Sequence, residues 1–231
     1  MVFSVRIWDV KGHLLVIDGA DGSGKATQSR LLVERLASEG LAVEHLDFPR
    51  YGENHLGQLI RECLDGVRGD FMALDPRVAS VLYAADRYES RSRLEEWLAA
   101  GKIIVLDRYV SANMMHQGAK VRSEAELESF LTWLDHMEHV VFGLPRPTAI
   151  FYLDVPYDVR RVLIGNDKTR MTIDVAEVNH DHQRACEQRA QQLVASHNAW
   201  HLVRCVDGDS LRSKDDIHEE IYSRARALIQ S

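Results

Sequence analysis

Short runs of apolar residues alternate along the chain with longer stretches in which apolar residues recur at helical spacing. Nearly continuous apolar runs are typical of parallel strands that are covered on both faces. The pattern predicts five strands, at His13–Ile17, Ala42–Leu46, Ile103–Leu106, Ala149–Leu153 and Leu202–Val206. Because a helical stretch separates each pair of runs, the strands are expected to form a parallel sheet.

The stretches between the strands predict amphipathic helices, several with recognisable ends. Asp75 is a plausible N-cap with Pro76 at the first helical position, and Ser123 with Glu126 has the spacing of a capping box. Helices are predicted over Lys25–Ser38, Pro76–Ala100, Ala176–His197 and Lys214–Ile229, and after Ser123. The sequence therefore predicts a three-layer α/β fold in one domain over residues 1–231, with a central parallel five-stranded sheet flanked by helices.

Composition and charge narrow the class of protein. The 231 residues are 45% hydrophobic and 27% charged, which is ordinary for a globular domain. A formal net charge of −7 argues against a nucleic-acid partner, so a polyanionic ligand must be met by a local cluster of Lys and Arg. No apolar run approaches the ~18 residues of a membrane span, and Cys63, Cys186 and Cys205 are scattered. These features predict a cytoplasmic protein without disulfides and without membrane contact.

A phosphate-binding motif lies between the first predicted strand and the first predicted helix. Residues 19–27 read GADGSGKAT, which has the G-x-x-x-x-G-K spacing of a P-loop. Its glycines allow positive φ, so that backbone N–H groups surround a phosphate, and Lys25 adds a cation for the β- and γ-phosphates. The predicted ATP-binding residues are Gly19, Ala20, Asp21, Gly22, Ser23, Gly24, Lys25, Ala26 and Thr27.

The residue after Lys25 departs from the motif. Ala26 stands where Ser or Thr usually binds Mg²⁺, and Thr27 is rotated by about 100° along the helix. Either Mg²⁺ is held mainly by nucleotide phosphates and water, or the site is weakened. A nucleotide-binding module without catalytic activity is therefore an alternative to an enzyme, with Ala26 as its support.

A second charged cluster, Asp107-Arg108-Tyr109, follows the predicted strand Ile103–Leu106. Ligands of open α/β sheets bind at the carboxyl edge, where these side chains are expected. Asp107 could hold Mg²⁺ through water or pair with an arginine. Arg108 could lie between two phosphoryl groups and neutralise the charge that develops during transfer.

Seven motifs in order carry a resemblance that covers the chain from Leu14 to Val206. They are IDGADGSGK, FPRY (Phe48–Tyr51), LYAADRY (Leu82–Tyr88), LDRYVSAN (Leu106–Asn113), HQGAK (His116–Lys120), GLPRP (Gly143–Pro147) and LDVP (Leu153–Pro156). In this order and spacing they resemble the thymidylate kinase family. The resemblance implies a P-loop kinase fold with a short lid at about 157–175, Mg²⁺ with ATP as phosphoryl donor, dTMP as acceptor, and a homodimer.

The resemblance also implies roles for residues outside the P-loop. Arg87 would bind the thymine carbonyl, and Tyr83, four residues earlier on the same helical face, would stack on the base. Asp21 would position the acceptor phosphate or accept a hydrogen bond from the sugar. His116 stands where family members often have Tyr against the sugar, which leaves discrimination against ribonucleotides open. The predicted acceptor residues are Asp21, Phe48, Arg50, Tyr51, Tyr83, Arg87, Arg108, Asn113, His116 and Gln117.

The lid is expected to complete the catalytic site. Some family members carry a catalytic arginine in the P-loop and others carry it in the lid; this P-loop has none. Arg161 and Arg170 are the candidates in the lid, and with Lys25, Arg108 and Asp21 they form the predicted catalytic set. The reaction implied is MgATP + dTMP → ADP + dTDP. A kinase for another monophosphate or for a deoxynucleoside is the alternative, although Arg50 and Arg108 favour a charged acceptor.

Overall fold

The computed structural model describes residues 12–160, 179–208 and 210–230. Five parallel strands form one sheet in the order β2-β3-β1-β4-β5. The strands are β1 (His13–Gly19), β2 (Val43–Asp47), β3 (Ile103–Asp107), β4 (Ala149–Asp154) and β5 (Trp200–Arg204). The predicted five-stranded parallel sheet flanked by helices is confirmed.

The last strand lies two residues earlier than predicted. Trp200, not Leu202, begins β5, because its ring packs beside Tyr152 of β4 with centroids 6.3 Å apart. The chain leaves the sheet at Cys205, and a short antiparallel ribbon follows, formed by β6 (Val206–Asp207) and β7 (Ser210–Leu211). The apolar residue at position 206 therefore belongs to the ribbon and not to the main sheet.

Alternate residues of the central strand face two separate cores. Leu14 and Val16 belong to the core on one face, and Leu15 and Ile17 belong to the core on the other. All four are at most 1% exposed. This arrangement explains the unbroken apolar run, since a strand buried on both faces has no polar side.

Eight α-helices have both ends within the described residues. They are α1 (Lys25–Ser38), α2 (His55–Leu64), α3 (Pro76–Glu89), α4 (Arg91–Ala99), α5 (Val110–His116), α6 (Glu124–Asp135), α7 (His180–Ser196) and α8 (Lys214–Gln230). A π-helix, His136–Val141, continues α6. The predicted caps are confirmed: Asp75 accepts hydrogen bonds from Arg77 N and Val78 N, and Ser123 Oγ accepts one from Glu126 N at 3.2 Å.

The prediction of one helix over Pro76–Ala100 is wrong. The helix breaks at Ser90, where the backbone N–H bonds to Arg87 O at 3.0 Å instead of to the carbonyl four residues back. That carbonyl, Asp86 O, accepts a hydrogen bond from Asn54 Nδ2 at 2.7 Å. A side chain from the start of α2 thus competes for the bond that would continue the helix. Helices α2 and α5 were not predicted.

The lid falls largely outside the described residues. A helical turn covers residues 157–160, and residues 161–178, including Arg161 and Arg170, are not described. None of the helices in the described ranges has the length and apolarity that crossing a membrane requires.

Candidate active site

A cleft of about 760 Å³ opens at the carboxyl edge of the sheet, between the P-loop and helices α2, α3 and α5. It exists there because β1 and β3 are neighbours in register, with Ile17 opposite Asp107. The loops that leave both strands therefore meet at one edge. The predicted residues that line the cleft are Asp21, Gly22, Ser23, Gly24, Lys25, Ala26, Thr27, Phe48, Tyr51, Tyr83, Arg87, Asp107, Arg108, Asn113, His116 and Gln117.

The P-loop has the positive φ angles that its glycines predicted. The angles are +154° at Gly19, +78° at Gly22 and +91° at Gly24. A side chain at Gly19 would also bring its Cβ within 2.6 Å of Ser23 Oγ and 2.9 Å of Leu153 O, so the loop folds back tightly on β4. Gly24 directly precedes α1, which directs the N-terminus of that helix into the cleft.

Lys25 is held inside this loop. Its Nζ donates a hydrogen bond to Ala20 O at 2.9 Å and lies 3.6 Å from Asp21 Oδ1. Burial, and the nearby charge of Arg108, lower the pKa of Lys25. Asp21 and Asp107 act in the opposite direction and favour the ammonium form. A phosphate beside Lys25 would add to that effect, because an adjacent negative charge stabilises the ammonium.

Arg108 leaves the end of β3 with an unusual backbone. Its φ is +64°, and its N–H bonds to Ile17 O at 3.0 Å, which turns its side chain toward the P-loop. The guanidinium forms a salt bridge with Asp21 and lies 3.3 Å from His116 Nε2. Burial alone would lower the pKa of Arg108, but Asp21, Asp18 and Asp107 outweigh it and raise that pKa. The arginine is therefore a permanent cation beside the P-loop.

Two further carboxylates lie beneath these cations. Asp18 is fully buried at the end of β1, where its oxygens accept hydrogen bonds from Ser111 Oγ at 2.5 Å and Gly19 N at 2.8 Å. Burial raises the pKa of Asp18 and that of Asp107. The positive charges of Lys25 and Arg108 partly oppose this rise in both pKa values. Asp18 was missed by sequence reasoning, although an acid inside an apolar strand is the kind of signal that marks a buried polar site.

Arg87 and Tyr83 line the opposite end of the cleft. Arg87 is 2% exposed and forms a two-pronged ion pair with the fully buried Glu138, with Nε to Oε2 at 2.9 Å. Asn113 Nδ2 also donates to Glu138 Oε1, at 3.0 Å. Tyr83 packs edge-on against Phe71, with centroids 5.8 Å apart. Glu138 comes from the π-helix and was missed, because a single acid in the stretch HMEHVV looks like a solvated helix position.

Arg50 lies outside the set of residues that line the cleft, so its contact with the acceptor phosphate stays a prediction. Its side chain is buried and pairs with Glu53 and, at 3.6 Å, with Asp47. The neighbouring residues Phe48 and Tyr51 do reach the cleft. The Phe48–Pro49 peptide is cis, and Pro49 also lines the cleft.

Several cleft residues had no predicted role. They add positive charge and apolar surface, and they are Arg61, Phe71, Met72, Lys120, His182, Arg212 and Lys214. Arg160 supports the P-loop from behind, since its Nη1 lies 3.4 Å from Asp21 O and 3.2 Å from Gln183 Oε1. Apart from Lys120, which lies in the HQGAK motif, the sequence offered no signal for these residues, because they come from separate segments that only the fold brings together.

A parallel sheet in the order β2-β3-β1-β4-β5, a P-loop after its central strand and a second arginine at the adjacent strand end define a P-loop kinase of the nucleoside-monophosphate class. A sequence profile of the thymidylate kinase family matches residues 17–221. The chain belongs to the thymidylate kinase family, and it is an ATP-dependent enzyme that phosphorylates dTMP.

Known relatives agree with this assignment along most of the chain. The thymidylate kinase of Plasmodium falciparum is 33% identical over 94% of this chain and 91% of its own length. That of Clavibacter sepedonicus is 33% identical over 94% and 96%, and the human enzyme is 28% identical over 91% and 88%. The structure of a thymidylate kinase from Candida albicans has the same fold, with a TM-score of 0.73, 19% identity, and coverage of 96% of this chain and 95% of that one.

Proposed function

We propose that the enzyme transfers the γ-phosphoryl group of MgATP to dTMP across the junction between the P-loop and Arg108. The observation that carries this proposal is the convergence of Lys25, Asp21 and Arg108 at two adjacent strand ends, in one cleft with Arg87 and Tyr83. ATP phosphates would lie on the P-loop amides and Lys25, and the acceptor phosphate would lie beside Arg108.

No general base is required for this reaction. The nucleophile is an oxygen of the dTMP phosphate, which is already anionic at neutral pH. The protein would align the two phosphates and neutralise the charge on the transferred group, with Lys25 and Arg108 as the described cations. Arg161 and Arg170 are proposed to bring a further cation from the lid, and closure of the lid would exclude water that otherwise hydrolyses ATP.

Asp21 is proposed to hold Arg108 in place for the acceptor. Its carboxylate already forms a salt bridge with Arg108 and lies 3.6 Å from Lys25 Nζ. An acid among phosphates is tolerated when it is paired in this way. The same carboxylate could accept a hydrogen bond from the sugar hydroxyl of dTMP without losing the arginine.

Recognition of the base is proposed to depend on Arg87. Glu138 accepts hydrogen bonds from Nε and Nη2 of the Arg87 guanidinium, and Nη1 donates to Tyr109 O at 3.4 Å. Nη1 has a second N–H, which is proposed to donate to a thymine carbonyl. Tyr83 would cover the face of the ring. Asn113 would act mainly by orienting Glu138, whereas Gln117 Oε1, which has no hydrogen-bond partner among the described residues, lies at the cleft and could meet the base or sugar. Phe48, Tyr51 and His116 would form the remaining wall.

The donor set of the cleft fits Mg²⁺. Asp107 offers a carboxylate beside Lys25 and Arg108, and Mg²⁺ prefers carboxylate, phosphate and water oxygens. We propose that Asp107 holds the ion through water. When bound with ATP, Mg²⁺ neutralises charge on the donor phosphates. Residue 26 contributes a methyl group where a hydroxyl would complete the usual set of ligands.

The enzyme is proposed to be a single-domain homodimer that acts in the cytoplasm. Helix α3 presents Val78, Val81 and Tyr88 on one side, with 52%, 39% and 50% of each residue exposed. Three apolar residues on one helical face form a surface that a second copy would cover. The free cysteines at 63, 186 and 205 agree with a reducing compartment.

The test of this function is ADP release from ATP with a panel of acceptors: dTMP, dUMP, dCMP, AMP, GMP and thymidine. We expect dTMP to give the highest kcat/KM. Loss of the methyl group in dUMP should cost about 10- to 200-fold, and replacement of the carbonyl by an amino group in dCMP should cost more, because it mispairs a buried donor. A preference for AMP, GMP, dCMP or thymidine would overturn the proposed base site, while the P-loop chemistry would remain.

A further inference from the structure

A cluster of three metal-ligating side chains lies at the wall of the cleft, apart from the P-loop. His182 and Cys186 are four residues apart on α7 and therefore share a helical face. His116, at the end of α5, completes the cluster. The ligand atoms of the three residues all lie within 4.8 Å of one another. The proposed function uses His116 as part of the cleft wall, and it assigns no role to His182 or Cys186.

The distances suit a tetrahedral ion. Cys186 Sγ lies 3.4 Å from His116 Nδ1 and 3.4 Å from His182 Nε2. Zinc bonds of about 2.0–2.1 Å to nitrogen and 2.3 Å to sulfur place tetrahedral ligands about 3.5 Å apart. Both sulfur–nitrogen distances therefore match a zinc site, and the ligand atoms of the two histidines lie within 4.8 Å of each other.

The protonation states are compatible with a thiophilic ion. Burial lowers the pKa of His116 and that of His182, which disfavours the imidazolium forms that cannot bind a metal. Burial raises the pKa of Cys186, so an ion must displace the thiol proton, which is released to solvent through the cleft, as metal binding at a thiolate requires. The positive charges of Arg108 and Lys120 disfavour a dication in this cluster, and the negative charge of Asp21 favours it.

We propose that His116, His182 and Cys186 bind Zn²⁺, with the fourth position of the ion open to the nucleotide cleft. His116 and His182 both line that cleft, whereas Cys186 is 3% exposed and lies behind them. Three protein ligands and one open position are the arrangement of an exchangeable zinc site, in contrast to a closed four-ligand structural site. Two imidazoles and a thiolate also select Zn²⁺ over Mg²⁺, which prefers oxygen.

Zinc at this position would act on Arg108 through His116. A guanidinium has no acceptor, so the 3.3 Å contact between Arg108 Nη1 and His116 Nε2 requires Nε2 to accept and Nδ1 to carry the proton. Zinc bound at Nδ1 moves the proton to Nε2, where it faces the guanidinium and removes the hydrogen bond. The ion therefore inhibits phosphoryl transfer. This inhibition rests on the proposed role of Arg108, whereas the binding of zinc does not.

Binding is tested with Co²⁺ as a spectroscopic probe and Zn²⁺ as a competitor, on the full chain. We expect Co²⁺ to give a thiolate charge-transfer absorption and tetrahedral d–d bands with one equivalent, and Zn²⁺ to abolish both. Cys186→Ser should remove the charge-transfer band, and His182→Gln should weaken Co²⁺ binding at least tenfold. Cys63→Ser, which alters a buried thiol in another part of the core, should leave the spectrum unchanged. A wild-type protein without the charge-transfer band, or with a band that Cys186→Ser retains, would overturn the site.

Inhibition is measured in the same preparations with a fixed excess of Mg²⁺. Zinc should lower kcat about tenfold or more in the wild type and in Cys63→Ser, and should have little effect on Cys186→Ser. Stoichiometric zinc binding with unchanged kcat would overturn the coupling to Arg108, whereas the zinc site itself would stand. Failure of the proposed function would appear separately, as absent dTMP kinase activity in metal-chelated protein supplied with Mg²⁺ alone.

Discussion

Arg108 combines backbone strain with buried charge at the point where the two phosphates are proposed to meet. A left-handed φ of +64° costs a non-glycine residue about 1–2 kcal/mol. The salt bridge between Arg108 and Asp21 offsets that cost, together with the hydrogen bond from Arg108 N–H to Ile17 O. Backbone strain of this kind is typical of functional sites, where the direction of a side chain matters more than a low-energy backbone conformation.

Lys25→Ala should abolish activity and preserve the fold. The ammonium contributes charge to the P-loop, and its removal should lower kcat by about 100- to 1,000-fold. Thermal unfolding monitored by circular dichroism should shift by only a few degrees, because the hydrogen bond to Ala20 O and the ion pair with Asp21 that Ala would lose are polar contacts of the loop. Activity within threefold of the wild type would contradict the proposed position of the ATP phosphates.

Ala26→Ser should leave the maximal rate unchanged or improve it, and should lower the Mg²⁺ concentration at half-maximal rate. The residue is exposed at the cleft, so a hydroxyl group can be added without strain, and it supplies an oxygen that Mg²⁺ accepts. A Mg²⁺ titration at fixed ATP measures the effect. Strong inactivation by serine would mean that the site is built around the methyl group of Ala26.

Arg87→Met should destabilise the protein as well as alter acceptor choice. Glu138 is completely buried, and without its cation it becomes an unpaired interior charge that costs about 3–5 kcal/mol. Urea unfolding should show this loss, and the double change Arg87→Met with Glu138→Gln should recover part of it. Both proteins should prefer dTMP over dCMP less strongly than the wild type does. A double variant that keeps the full preference would argue that another residue reads the base.

At this scale, the sequence predicts which residues reach the cleft where that follows from their neighbours in the chain. Lys25 and Arg108 belong to local motifs next to strand ends, and the structure brings both to the cleft. Arg50 and Glu138 show the limit. Long-range packing sets which side of a loop an arginine faces and which helix supplies its counter-ion. A short motif does not encode that packing.

Helix α2 determines how the segment after β2 turns toward the cleft. Asn54, which precedes it, donates to Asp86 O and Asp86 Oδ1, at 2.7 and 2.9 Å. Asp86 Oδ2 in turn accepts a hydrogen bond from Arg50 N at 3.1 Å. These bonds join α2, α3 and the Phe48–Tyr51 segment into one unit. They also explain why the sequence predicted a continuous helix over Pro76–Ala100. The helix is interrupted by Asn54, which lies more than thirty positions away in the chain.

Gly57→Ala should disturb that unit. A Cβ at this position would lie 2.1 Å from Arg50 O and 2.5 Å from Arg50 C, and both are backbone atoms that cannot swing aside. Overpacking of this kind costs about 1–3 kcal/mol and outweighs the helix propensity that alanine adds. Urea unfolding should show the loss, and KM for dTMP should rise because Phe48 and Tyr51 move with Arg50.

Gly52→Ala is the matched control for that change. A Cβ at Gly52 would meet no heavy atom within 4 Å, although the residue lies in the same segment. Stability and KM should both stay close to wild-type values. Equal stability of the two variants would mean that α2 can shift without cost, contrary to the proposed unit.

The whole molecule is proposed to form a dimer through α3. Val81→Glu places a charge in the centre of the exposed apolar face and should shift the protein from dimer to monomer in size-exclusion chromatography with light scattering. Val67→Glu, at a residue that is 68% exposed elsewhere on the surface, should leave the dimer intact. A wild-type protein that is monomeric at micromolar concentration would contradict the proposed interface.

The central place of β1 has a consequence for measuring ligands. Two strands flank it on each side, and its residues 14–19 are buried, so its amide hydrogens exchange with solvent only when the entire sheet opens. A ligand that binds the native state slows this opening by the factor 1 + [L]/Kd. The rate of deuterium uptake at β1 therefore measures the affinity of the protein for a ligand. It would rank nucleotides and metal ions on the same protein even in variants that no longer turn over substrate.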